Sequence, residues 1–173
     1  MIIQVLLCSV LLILAIQDFR LRAVHWLLFP ILLILVVSDS LRNFNLREYI
    51  SGTAINLMII VIQGVILYVY YSLQGKTISH IVNRLIGTGD LIFIIIMAFA
   101  FSWTSFIFFY IAGLLFALIF WLIRLVVTRD RPGLIPLAGL LAVYMIILMI
   151  AGVFIPEISR NANLINNLML YGN

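Results

Sequence analysis

Two aspartates, Asp18 and Asp90, stand at the edges of long apolar runs in a chain of 173 residues that is 66% hydrophobic and carries only six acidic side chains. An ionisable group at the border of a membrane helix costs enough free energy that a functional role is the default reading. Two carboxylates brought close together cannot both ionise. They share a proton, and the pair can act as base toward a water and as acid toward a peptide carbonyl. That chemistry needs no metal and no cofactor. Asp90 closes the run Gly87, Thr88, Gly89, Asp90, where glycine permits unusual backbone angles and close approach of another chain before a helix begins. The competing reading of the same run is a flexible turn with Asp90 as an ordinary N-cap. Beside Asp18, the residues Arg20, Arg22 and His25 are candidates for substrate contact or for tuning the ionisation of the carboxyl. Arg20 and Arg22 have an equally simple use facing lipid phosphates.

The elements that must carry these side chains follow from composition. Charged residues make up 9% of the chain and its mean hydropathy is +1.30, whereas about a quarter of a soluble domain is charged. The chain therefore reads as an integral membrane protein. It opens Met1, Ile2, Ile3, Gln4, with neither a basic stretch nor a small-residue cleavage site, so the first apolar run is expected to be a retained helix and not a signal peptide. A net charge of +4 would fit a nucleic-acid partner in a soluble protein. Here the basic residues fall between apolar runs, where they orient the chain in the bilayer, and no nucleic-acid partner is expected. A lone Cys8 can form neither an internal disulfide nor a thiolate zinc site, and the isolated His25 and His80 propose no metal centre.

Backbone groups in lipid must be satisfied within the segment, so apolar runs without strand alternation are read as helices. Six are predicted, over 2–17, 24–37, 50–71, 91–102, 106–127 and 134–155, in an all-α polytopic domain covering 1–156 with a C-terminal tail at 157–173. The stretch 91–123 would exceed the roughly 30 Å hydrocarbon core by more than half as one helix, and the polar break from Ser102 to Ser105 is where it is expected to fold back. Arg20, Arg22, Lys76, Arg84, Arg124, Arg129 and Arg131 then fall on one side, against Arg42, Arg47 and Arg160 on the other. The positive-inside rule makes the first side cytoplasmic and the N-terminus external, which puts Asp18 and Asp90 together at the cytoplasmic face. The first, second and fourth spans are short for a bilayer, which predicts helix ends recessed around a wet dent beside the aspartates. Ile78, Ile81, Val82, Leu85 and Ile86 recur at helical spacing opposite Lys76, His80, Asn83 and Arg84. An amphipathic interfacial helix is therefore predicted before the fourth span.

These residues resemble the type IV prepilin peptidases and preflagellin peptidases, membrane aspartyl proteases of the Gly-x-Gly-Asp group. The likeness covers most of the chain in architecture and rests on two short motifs. Asp18, Phe19, Arg20, Leu21, Arg22, Ala23, Val24 looks like the first aspartate with its basic stretch, and Gly87 to Asp90 looks like the second. Three features depart from the pattern: His25 and Trp26 stand where Pro and Asn are usual, Ile92 where a Lys commonly follows the second aspartate, and the Cys-paired zinc insert of the large bacterial enzymes is absent. The resemblance implies an aspartic endopeptidase in the cytoplasmic (inner) membrane. Asp18 and Asp90 would be its catalytic pair, cutting the leader peptide of prepilin-like, single-helix membrane substrates at the cytoplasmic surface. It does not imply N-methylation.

Two rival readings remain open. Buried carboxylates also bind protons and cations in transporter subunits, although no inverted repeat is evident here, and a catalytically inactive relative acting as a membrane scaffold would keep the same architecture. Helix direction adds one expectation: Asp90 begins a helix and meets its positive end, whereas Asp18 ends one and meets its negative end. That makes Asp90 the expected resting base and Asp18 the proton carrier. Elsewhere, Gly52, Asn56 and Gln63 give the third span a polar stripe suited to interhelical hydrogen bonds, and Gly113 with Ala117 forms a small-residue patch suited to packing. Pro30 is expected to bend the second helix.

Overall fold

A computed structural model describes residues 2–74, 87–128 and 135–154. The described residues form six helices and no strand: α1 Ile2–Leu21, α2 Leu28–Asn43, α3 Leu46–Leu73, α4 Thr88–Met97, α5 Trp103–Thr128 and α6 Leu137–Phe154. Three of them, α1, α3 and α5, are long and apolar enough to cross a membrane. The predicted amphipathic helix at 78–86, the tail at 157–173 and the basic residues Lys76, Arg84, Arg129, Arg131 and Arg160 lie outside the described residues.

The core is built around α1. Its buried positions Leu7, Leu11, Leu14, Ala15 and Asp18 recur at three- and four-residue intervals, which places them on one helical stripe. That stripe packs on α6 and α2. Leu32 and Val36 of α2, Phe93 and Met97 of α4, Phe106 of α5 and Leu141 of α6 complete the buried cluster. Gly113 lets α5 press on α6: a Cβ there would lie 2.6 Å from Leu141 Cδ2, and Ala117 one turn on is also buried.

α1 runs a full turn further than its apolar run, through Gln17 and Asp18 to Leu21. It is therefore not a short span. Arg22 stops it, with φ 51° and its N–H on the Asp18 carbonyl at 3.1 Å. This is a left-handed cap, a place where glycine is more usual. Gln17 Oε1 then accepts the His25 N–H at 2.9 Å, which ties the connecting loop back to α1. Consequently α2 begins at Leu28, later than residue 24. Pro30 falls in its first turn, where no intrahelical N–H is lost and no kink is required.

The reversal between α4 and α5 also differs from expectation. α4 has ten residues, about 15 Å at the α-helical rise and roughly half a hydrocarbon core. It ends at Met97, ahead of the Ser102–Ser105 break, because other helices satisfy the carbonyls left free there. Asn56 Nδ2 of α3, fully buried, donates to the Ala98 and Phe101 carbonyls at 2.9 Å each. Ser40 Oγ of α2 donates to the Phe99 carbonyl at 2.9 Å. Irregular backbone at membrane depth is tolerated where protein groups satisfy it in this way. Ser102 then opens α5: its carbonyl accepts the Phe106 N–H at 2.8 Å, and its hydroxyl bonds that of Ser105 at 3.0 Å. One face of α3 thus holds the bundle by polar contacts, Asn56 on the α4–α5 turn and Gln63 Oε1 accepting from Tyr110 of α5 at 2.8 Å. Gly52, one turn before Asn56, rests on the Ser102–Trp103 backbone.

Candidate active site

Asp18 lies in the last turn of α1, and Asp90 is the third residue of α4. They come together at the start of α6. Asp18 Oδ2 accepts the Gly139 N–H at 2.6 Å, and Asp90 Oδ1 accepts the Ala138 N–H at 2.7 Å. Ala138 and Gly139 are consecutive residues in the first turn of α6. Their nitrogens are separated by three backbone bonds of about 1.3 to 1.5 Å each, so the two carboxylate oxygens lie within roughly 10 Å of each other whichever way the hydrogen bonds point. Each is within electrostatic reach of the other. Asp18 is 8% exposed, whereas Asp90 is partly open, so the accessible side of the pair is the Asp90 side.

Both carboxyls therefore meet a positive helix end. The first N–H groups of α6 have no intrahelical partner and point outward, and they face Asp18 as well as Asp90. That contact is common to both carboxyls, so it offsets the negative end of α1 at Asp18 without cancelling the difference between α1 and α4. Asp18 does sit at the negative end of α1, but the positive end of α6 is in direct contact with it, and hydrogen-bond contact outweighs a dipole felt along the axis.

The residues before Asp90 act through space and not through backbone freedom. Gly87 caps α4 with φ −62° and ψ 135°, an extended conformation open to any residue. The missing Cβ matters instead, because one at Gly87 would stand 2.8 Å from Asp90 Oδ2. The Asp90 carboxyl folds back over Gly87 and takes a hydrogen bond from its N–H. A side chain at the third helical position reaching the cap N–H is half of a capping box. Asp90 therefore serves as a helix-capping group and faces Asp18 at once. Gly89 is less demanding, since a Cβ there would meet only Phe29 Cζ at 3.6 Å, an ordinary contact. Thr88 is exposed at the first helical position.

The remaining candidates make no hydrogen bond to either carboxyl among the described residues. Arg20 and Arg22 are exposed, and Arg22 serves the backbone as the cap of α1. His25 is exposed, its ring stacked on Trp26 with centroids 6.4 Å apart. Its backbone, not its imidazole, is what reaches toward α1. Cys8 sits deeper in the bundle beside the Met149 sulfur at 3.8 Å. Among the described residues, no three His, Cys, Asp or Glu side chains gather as a metal centre would need.

The partners that sequence reasoning missed are Ala138 and Gly139, which contribute backbone N–H groups and so carry no side-chain signature. The available signal was Pro136. A proline just ahead of an apolar run marks a helix start, and a helix start offers free N–H groups to a carboxylate. Searches against protein-family models, curated proteins and solved structures return no match to this chain.

Proposed function

We propose that this chain is an intramembrane aspartic endopeptidase of the prepilin peptidase type, with Asp18 and Asp90 as its catalytic pair. The observation that supports this reading is the meeting of two carboxylates, from separate helices, on consecutive N–H groups of a third. Two acidic side chains in an apolar bundle are costly to bring together, and a shared role in proton transfer accounts for the expense.

In this reading, one carboxylate takes a proton from a water held between the pair while that water attacks the scissile carbonyl carbon. The other carboxyl, protonated, delivers its proton to the carbonyl oxygen. Collapse of the tetrahedral intermediate breaks the C–N bond: the leaving amine takes the proton from the carboxyl that gained one, the other carboxylate takes back a proton from a hydroxyl of the intermediate as the C=O re-forms, and the pair returns to sharing a single proton. The substrate helix must unwind first, because a helical peptide bond is already hydrogen-bonded and shielded. The partly open Asp90 side is where an unwound segment would enter.

The proposed setting is the cytoplasmic (inner) membrane, with six spans, an external N-terminus and the aspartates facing the cytoplasm. The distribution of Lys and Arg supports that orientation. The substrate is a prepilin-like, single-helix membrane protein that loses its leader peptide. Co-expression with such a substrate tests the assignment. Cleavage that falls about 10²- to 10⁴-fold with either Asp18→Ala or Asp90→Ala, the range for loss of a positioned acid or base, supports it. Ion flux without cleavage points to a transporter subunit, and neither activity points to a scaffold.

A further inference from the structure

Each carboxylate of the pair lies against a glycine where a Cβ would displace it. For Asp90 that glycine is Gly87, its neighbour in the chain. For Asp18 it is Gly139, on another helix. A Cβ at Gly139 would stand 3.0 Å from Asp18 Oδ2, 3.1 Å from Asp18 Cβ and 3.4 Å from the Ala15 carbonyl oxygen. The Ala15 oxygen is at ordinary contact distance, so it is the Asp18 side chain that must give way. Gly152 on the same helix has nothing within 4 Å of its Cβ position, so the constraint belongs to the site and not to α6 as a whole. Gly139 also supplies the N–H that Asp18 accepts at 2.6 Å, and that distance requires α1 and α6 to approach closely at this point.

We propose that Gly139 is a positioning residue for Asp18: its bare Cα lets α1 close on the first turn of α6, so that consecutive N–H groups fix the separation of the two carboxyls. A methyl group at residue 139 pushes Asp18 off its donor and leaves Asp90 on Ala138. The pair is then spread by a fraction of the clash distance, while the α-helical backbone, which alanine favours over glycine, stays formed. The effect on turnover rests on the endopeptidase reading above. The effect on the carboxyl itself does not.

The test is infrared difference spectroscopy on the purified full-length protein, with the Asp18 carboxyl band assigned by its disappearance in Asp18→Asn. That band is expected to move in Gly139→Ala and to stay in place in Gly152→Ala. If cleavage is measurable, Gly139→Ala is expected to lower kcat by about 10²-fold with KM unchanged and a displaced kcat–pH profile, the scale that small misplacements of a reacting group produce. Should Gly139→Ala fail to fold, the wild-type amide signals decide: the Gly139 amide resonance is expected to shift in Asp18→Asn while that of Gly152 does not. An Asp18 band unchanged in Gly139→Ala, or a Gly139 amide indifferent to Asp18→Asn, overturns the proposal. A moving band in a protein that cuts no substrate leaves the role of Gly139 in place and removes the endopeptidase reading.

Discussion

Replacing Asn56 with leucine removes the amide that ends α4 while keeping a side chain of similar size. Asn56 is fully buried, and its Nδ2 donates at 2.9 Å to two carbonyls, those of Ala98 and Phe101. Both oxygens lie in the reversal between α4 and α5, at a depth where water does not readily replace a lost donor. Hydrogen bonds between membrane helices average about 0.6 kcal/mol each, whereas leaving a buried acceptor unpaired costs about 1–3 kcal/mol. Two bonds therefore bracket the loss between about 1 and 6 kcal/mol. The lower half of that range is expected, because the α4–α5 turn can relax and the leucine adds apolar contact. Reversible unfolding in bicelles or mixed micelles measures it directly. A consequence should follow at the far end of the ten-residue α4, since Asp90 rides on the same short rod, and cleavage should weaken along with stability. An Asn56→Leu protein within about 0.5 kcal/mol of the parent would refute the view that this amide holds the reversal in place.

Two smaller perturbations probe the packing and the end of α1. Gly113→Ala would set a methyl 2.6 Å from Leu141 Cδ2, and the overpacking is expected to cost about 1–3 kcal/mol in the same unfolding assay; an unchanged midpoint would mean that α5 and α6 do not press together there. Arg22→Gly relieves a left-handed residue at φ 51° and is expected to raise stability by up to about 1 kcal/mol; a loss of stability would show that the Arg22 side chain contributes more than its strained backbone costs.

The helices were legible in the sequence wherever an apolar run was long, because a segment in lipid has no other way to satisfy its backbone. Their ends were not, because they are set by groups outside the run. α1 continues through Gln17, Asp18 and Arg20 since Gln17 has a use in the loop beyond and Asp18 has one on α6. α4 stops at Met97 in the middle of an apolar stretch because Asn56 and Ser40 wait on other helices. Pro30, read as a kink from a start at residue 24, becomes an ordinary first-turn proline once α2 starts at Leu28.

The site divides the same way. Asp18 and Asp90 stood out as rare charges in an apolar chain, and the polar stripe of α3 was visible as Asn56 and Gln63 seven residues apart. The groups that receive the two carboxyls were invisible, since any residue type but proline offers an N–H. For a related reason the field at Asp18 was only half visible, since it depends on the helix end that meets the carboxyl as well as on the helix that carries it.

A double-variant comparison in a purified cleavage assay tests most directly whether Asp18 and Asp90 work as one unit. Residues that act jointly lose their contribution together, so Asp18→Ala, Asp90→Ala and the combined variant should fall to the same residual rate. A single variant that keeps most of its activity, or a combined variant whose loss is the product of the two single losses, would contradict the account.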